Sequence, residues 1–226
     1  MTRTFGNRVA WVQQSEIRNM TIECEDLGGL NLAQGVCDLE VPPAVIQGAK
    51  QAMDEGYNTY TRYNGLEELR KAIALRQQDF SGLEVDPETE VVVSVGATGA
   101  LYAALLALLS PGDEVILFEP YYGYHPINLV SAGAVPVYVR MQPPDWDFNP
   151  DALERAVTPR TKAILVNTPG NPSGKIFSVR ELEVLADFAR EHDLFVFTDE
   201  IYEYFVFNGR KHIPPAGLPG MRERTI

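Results

Sequence analysis

Residues 162–202 read KAILVNTPGNPSGKIFSVRELEVLADFAREHDLFVFTDEIY, and the rest of the chain is organised around this stretch. An apolar run, Ala163-Ile164-Leu165-Val166, is followed by the loop Asn167-Thr168-Pro169-Gly170-Asn171-Pro172-Ser173-Gly174. A helix comes next. Ser178 and Glu181 stand three apart, the spacing of a capping box, in which each side chain satisfies a free backbone donor at the helix start. Leu182, Leu185, Ala186 and Ala189 recur at helical spacing, with Glu183, Asp187 and Arg190 on the opposite side. A second apolar run, Phe195-Val196-Phe197-Thr198, ends in Asp199-Glu200-Ile201-Tyr202. Strand, crossover helix, strand is a βαβ unit and implies parallel strands. Ligands of such sheets gather beyond the carboxyl ends of the strands. The polar clusters 167–174 and 199–202 both follow strand ends, so they should share one face, where one ligand could reach both.

The spelling of those clusters, Asn-x-Pro-x-Asn-Pro-x-Gly and then Asp-x-x-Tyr, resembles the class I/II aminotransferases, which use pyridoxal 5′-phosphate in a fold-type I scaffold. Each half alone reads differently. Asn-Pro-x-Gly is an ordinary turn sequence, and an Asp after a strand is often a helix cap. Their combination on one βαβ unit carries the resemblance.

The chain has 226 residues, 45% hydrophobic and 22% charged, the balance of a globular protein with a sizeable core. A net charge of −12 argues against nucleic acid and anionic membranes as partners. A phosphate-bearing ligand must then be held by local donors. The two cysteines, Cys24 and Cys37, are too few for a disulfide framework and lack metal-ligand spacing, which fits a cytoplasmic setting. The first residues lack the apolar core of a signal peptide, and no spanning segment follows.

Residues 1–40 read as an arm with part of a small domain, and 41–226 as a large domain. Within the arm, Val9 to Met20 is expected to be helical, and Gly28-Gly29 breaks the chain. Asn31-Leu-Ala-Gln-Gly35-Val-Cys-Asp38 is similar to the family segment whose glycine lets the backbone approach the substrate carboxylate. From the residues alone, Gly35 is a turn glycine. The family more often has proline where Cys37 stands. Pro42-Pro43 opens a helix to about Glu55, with Pro at a first-turn position, and a further helix runs from Leu66 to Gln78. Between them, Tyr60-Thr-Arg-Tyr-Asn-Gly65 resembles the loop that crosses to the neighbouring subunit of a homodimer, where a tyrosine hydroxyl reaches the cofactor phosphate. Tyr60 fits that place. A tyrosine packed under its own loop is the other reading.

Val91 to Val95 reads as a buried strand that turns through Gly96-Ala97-Thr98-Gly99 into an apolar helix, Ala100 to Leu109. That helix should lie inside or between layers. A small-residue turn at a helix start presents free N–H groups and the positive end of the dipole, which suits a phosphate. The turn is neither Gly-x-Gly-x-x-Gly nor a P-loop, which disfavours dinucleotides and nucleoside triphosphates. It matches the family's phosphate cup at Gly96, Ala97 and Thr98. After the strand Val115 to Phe118, Tyr122 stands where the family stacks an aromatic ring on the cofactor, a contact worth about 1 kcal/mol beyond burial. His125 close by reads as a packed, hydrogen-bonded histidine. Ala134 to Val139 is a short strand, 142–147 a surface connection, and Asn149-Pro150 caps and begins a small helix. The alternation across 91–202 means an α/β fold with a mostly parallel sheet, and the resemblance makes it the α/β/α large domain of a pyridoxal-phosphate transferase.

In that family Asp199 faces the ring nitrogen, Asn171 and Tyr202 serve the phenolic oxygen, and a lysine forms the imine with the cofactor. The chain has only Lys50, Lys71, Lys162, Lys175 and Lys211. None stands in the family's Ser-x-Ser-Lys segment, which follows the Asp-x-x-Tyr and precedes a Gly-x-Arg. The chain is therefore expected to be the front part of an amino-acid aminotransferase acting on an amino acid and a 2-oxo acid, incomplete at its C-terminus and inactive alone. Alternatives with the same seat are a carbon–sulfur lyase and a non-catalytic regulatory module that binds the cofactor.

Overall fold

The computed structural model describes residues 4–12, 15–35 and 37–226. They fall into two compact units, Gln14–Leu66 on its own and Glu67–Ile226 together with Met1–Gln13.

The Gln14–Leu66 unit contains helices α1, Glu16–Asp26, and α2, Pro43–Asp54. The single helix expected across Val9–Met20 is not formed. A 3-10 turn spans Asn7–Ala10, and α1 begins only at Glu16, running on until Gly28 (φ +64) ends it. The segment after α1 is pinned to it by side chains: Thr21 Oγ1 donates to Gln34 Oε1 at 2.9 Å and accepts from Asn31 Nδ2 at 2.9 Å.

In the other unit the elements run α3 (Glu67–Ser81), α4 (Gly96–Leu108), β1 (Glu114–Glu119), α5 (Tyr124–Ala132), β2 (Val135–Gln142), β3 (Asp147–Phe148), α6 (Pro150–Ala156), β4 (Thr161–Asn167), α7 (Val179–Glu191) and β5 (Phe195–Asp199). The sheet order is β3-β2-β1-β4-β5. β1 pairs in parallel with β2 and with β4, and β4 with β5; only the two-residue β3 is antiparallel. The capping box at Ser178 and Glu181 forms, and Asn149 caps α6 by accepting from the Asp151 N–H.

Alternation along the strands separates two cores, because successive side chains point to opposite faces. Ile116, Phe118, Ile164, Val166 and Val196 join Leu182, Leu185 and Ala189 of α7 and Leu153 of α6. Val115, Leu117, Ala163, Leu165 and Phe197 join Leu105 of α4 and Leu129 of α5. Helices therefore cover both faces, giving an α/β/α sandwich.

Three further expectations are corrected. Val91 to Val95 is not a strand. Val91 is buried, but Val92 is 68% and Val95 93% exposed. A strand exists only where a neighbouring edge takes up its backbone groups, and no described edge borders this run. β5 meets instead the end of the chain, where Thr225 bridges Val196 in parallel, the Ile226 N–H donates to the Val196 carbonyl at 2.9 Å, and the Thr198 N–H donates to the Ile226 carbonyl at 2.8 Å. Second, α4 is not enclosed on all sides. Leu105 is fully buried against the sheet, whereas Leu106 is 53% exposed. Third, 142–147 is more than a surface connection. β2 extends through Gln142 and turns back into β3 by way of Trp146, whose φ is +56. Among the described residues, no helix is long and apolar enough to cross a membrane.

Candidate functional site

β1, β4 and β5 lie side by side and end at Glu119, Asn167 and Asp199, so the segments that follow them emerge at one edge of the sheet. Asn167 and Asp199 are in register across the β4–β5 ladder. The Asp199 carbonyl accepts from Asn167 Nδ2 at 2.9 Å and from the Thr168 N–H at 3.0 Å. Asn167 Oδ1 accepts from the Asn171 N–H at 2.8 Å. The loop after β4 is thereby tied to the end of β5.

The Asp199 side chain is 19% exposed, and its Oδ2 accepts from His125 Nε2 at 2.9 Å. A carboxylate accepts only, so this bond sets the tautomer or charge of the imidazole. His125 belongs to the first turn of α5 and is 2% exposed, and its ring meets Tyr122 edge-on with centroids 5.3 Å apart. Packed and hydrogen-bonded, as the sequence indicated, it also props the acid of the site. The signal available in sequence was its place just past β1, three residues after Tyr122.

The start of α4 borders the same space. Gly96 has φ +68, a left-handed conformation in which an L side chain is strained, and a Cβ there would meet nothing within 4 Å. The N–H groups of Ala97 and Thr98, in the first turn, have no intrahelical acceptor.

Gly96, Ala97, Thr98, Tyr122, His125, Asn167, Asn171, Asp199 and Tyr202 all line one cleft of about 630 Å³. Seven of these are residues singled out in the sequence, while Asn167 was read only as the start of the loop. Its lining thus combines the first-turn N–H groups of α4, a carboxylate, side-chain amides and two tyrosines. That set fits a flat heteroaromatic ring carrying a phosphate. Gly35 and Tyr60 belong to the Gln14–Leu66 unit, where both are exposed.

Beyond the cleft, the segment after β5 is anchored twice. Arg76 of α3 pairs with Glu203, donates from Nε to the Tyr204 hydroxyl at 3.1 Å, and lies over the Phe80 ring at 4.4 Å. His212 Nε2 meets Glu200 Oε2.

No lysine lines the cleft among the described residues. Lys162 and Lys211 are exposed, Lys50 lies on α2, and Lys71 pairs with Glu67. Lys175 is buried and held between Asp147 at 2.8 Å and Glu181 at 2.6 Å. Burial pulls its pKa down, but the hydrogen bonds with Asp147 and Glu181 outweigh it, so the pKa is raised above the ordinary lysine value. That amine stays protonated and is not a nucleophile at neutral pH.

Residues 28–224 match the family model of aminotransferase class I and II. A probable N-succinyldiaminopimelate aminotransferase of Mycobacterium tuberculosis is 46% identical over 202 residues, which make up 88% of this chain and 51% of that protein. The kynurenine–oxoglutarate transaminase 3 of Rattus norvegicus is 37% identical, over 100% of this chain and 53% of its own. The chain thus spans about half the length of these relatives. Among solved structures, the N-succinyldiaminopimelate aminotransferase from Mycobacterium tuberculosis superposes with a TM-score of 0.93 at 42% identity, over 98% of this chain and 58% of that one. The aspartate aminotransferase from Thermus thermophilus with maleate gives 0.90 at 35%, over 99% and 59%.

Proposed function

Because the chain belongs to the class I and II aminotransferases, we propose that its cleft seats pyridoxal 5′-phosphate in a protein that moves an amino group between an amino acid and a 2-oxo acid. The observation that carries this reading is the convergence of Asp199, Asn171, Tyr202 and the first turn of α4 on one cleft. When bound, the cofactor supplies an electron sink for the bonds at the amino-bearing carbon.

The residues divide the work by chemistry. Asp199 accepts a charge-assisted hydrogen bond from the ring nitrogen and keeps the proton there. His125 holds the carboxylate in place from the other side. Asn171 and Tyr202 donate to the phenolic oxygen. The N–H groups and hydroxyl at Gly96, Ala97 and Thr98 receive the phosphate, and Tyr122 covers the ring face. On the family resemblance, Gly35 is assigned to the substrate carboxylate and Tyr60 to the phosphate across a homodimer. The two free cysteines accord with a cytoplasmic protein.

The placement of the five lysines leads to a sharper statement: the 226-residue chain binds the cofactor without turning it over. Titration with pyridoxamine 5′-phosphate, followed by the fluorescence of its ring, tests the first half, and an assay for 2-oxo acid formation tests the second. Saturable binding with no turnover is expected. Absence of binding by a folded chain would reject the seat, and sustained transamination would reject the assignment of inactivity.

A further inference from the structure

We propose that Asn167 is a positioning residue, whose side-chain amide locks Asn171 and Asp199 to each other so that the groups for the phenolic oxygen and the ring nitrogen form one preassembled seat. The inference rests on the cofactor reading above.

Asn167 closes β4 directly opposite Asp199 in the ladder. Its Oδ1 takes the Asn171 N–H at 2.8 Å, and its Nδ2 gives one hydrogen to the Asp199 carbonyl at 2.9 Å, with a longer contact at 3.4 Å to the carbonyl of Pro169. The orientation of the amide is unambiguous, because an N–H lies on one side and carbonyls on the other. At its base the loop is also held by the Thr168 N–H to the Asp199 carbonyl at 3.0 Å and by the Phe177 N–H to Thr168 Oγ1 at 3.3 Å. It closes on itself through the Gly170 N–H to the Lys175 carbonyl at 2.8 Å and the Gly174 N–H to the Gly170 carbonyl at 2.7 Å. Pro169 and Pro172 contribute no donor at all. The Asn171 N–H is the donor that fastens the part of the loop carrying the Asn171 side chain to the end of β4, and Asn167 is its acceptor.

The chemistry requires asparagine. Aspartate retains an acceptor for Asn171, has no hydrogen for the Asp199 carbonyl, and sets a second carboxylate beside the first. Alanine has neither partner. Glutamine carries the amide one methylene too far for a ladder-register contact.

The test titrates Asn167→Ala and Asn167→Asp with pyridoxamine 5′-phosphate, next to the wild-type chain and Asn149→Ala. The last removes a remote helix cap and reports stability loss alone. Melting temperatures are measured in parallel, and all titrations are run well below them. Asn167→Ala should weaken binding about tenfold, the loss of roughly one net hydrogen bond to the placement of the loop. Asn167→Asp should fall between Ala and wild type, and Asn149→Ala should lower the melting temperature with affinity unchanged. The pH at which the absorbance of the bound ring changes should move in the Asn167 variants and not in Asn149→Ala. If wild type binds and the Asn167 variants bind equally well, or weaken only in step with their unfolded fraction, the positioning role is overturned while the cofactor seat stands. If folded wild type does not bind, the cofactor reading itself fails and takes this inference with it. Should Asn167→Ala not fold, Asn167→Asp carries the comparison.

Discussion

Replacing Asp199 probes the seat at its most charged point. The carboxylate is 19% exposed, with Oδ2 facing His125 at 2.9 Å and Oδ1 accepting from the Ile201 N–H at 3.3 Å. Neither bond exhausts the acceptor sites of an ionised carboxylate, which number about four, so one remains for a protonated ring nitrogen. A hydrogen bond to a charged group contributes about 1.5–3 kcal/mol, which corresponds to a factor of about 10 to 150 in the dissociation constant. Asp199→Ala should lose all of it and fall near the upper figure for pyridoxamine 5′-phosphate. Asp199→Asn keeps the shape and a neutral contact, and should fall near the lower one. His125→Phe retains an aromatic ring against Tyr122 but removes the prop, so its loss should be smaller than that of Asp199→Ala. Fluorescence titration at matched folded fraction measures all three. Affinity of Asp199→Ala within about twofold of wild type would refute the claim that this carboxylate meets the ring nitrogen.

Leu105 is fully buried between α4 and the sheet, and Leu105→Ala should lower unfolding free energy by about 2–5 kcal/mol, read from urea midpoints. Gly96→Ala meets no clash, so its cost should be conformational, about 1 kcal/mol, with weaker binding of inorganic phosphate as the first turn of α4 reorients. The Glu114 carboxyl is held below its ordinary value of 4.5 by the Thr158 hydroxyl foremost, with burial opposing and Arg160 adding to the depression. A depressed carboxylate stabilises the fold above its unfolded pKa and loses that contribution as pH falls through the folded one. Glu114→Gln should therefore be less stable than wild type at neutral pH, with the gap closing as the solution is taken below pH 4.5, measured by urea midpoints across pH.

The parts of the fold visible in the sequence are those whose signals are local. The capping box at Ser178 and Glu181, the stripe of Leu182, Leu185 and Ala189, and the two apolar runs flanking them determine a βαβ unit without reference to anything distant. Val91 to Val95 misled because strand formation is settled by a partner edge, which no window of sequence displays. β3 escaped notice for a related reason. Two residues, Asp147 and Phe148, carry no periodicity, and they pair with β2 because the turn at Trp146 brings them back. Within the site, Asp199, Asn171 and the Gly96–Thr98 turn were legible because each follows a strand end or opens a helix. His125 and Asn167 were less so. Their roles lie in the atoms they hold, Asp199 Oδ2 in one case and the Asn171 N–H and Asp199 carbonyl in the other, and those contacts arise only once β1, β4 and β5 stand side by side.

That dependence separates seat from chemistry. Apart from Gln77 of α3, the polar groups lining the cleft are supplied by β4, β5, the loops after them, the start of α4, and α5 with the turn before it, and parallel ladders join β1 to β4 and β4 to β5. The buried amine nearest in sequence to the Asn171 loop, Lys175, is fixed between two carboxylates, which secures β3 against α7 and removes it from nucleophilic use. An acidic chain, at −12 overall, cannot gather a phosphate by its long-range field, since exposed charges are screened beyond about 8 Å at physiological salt. On the proposed reading, capture falls to the N–H groups at the start of α4, at contact distance. Recognition of the ring and its phosphate is, on that same reading, a matter of local geometry, which a reactive lysine in the same segment does not enter.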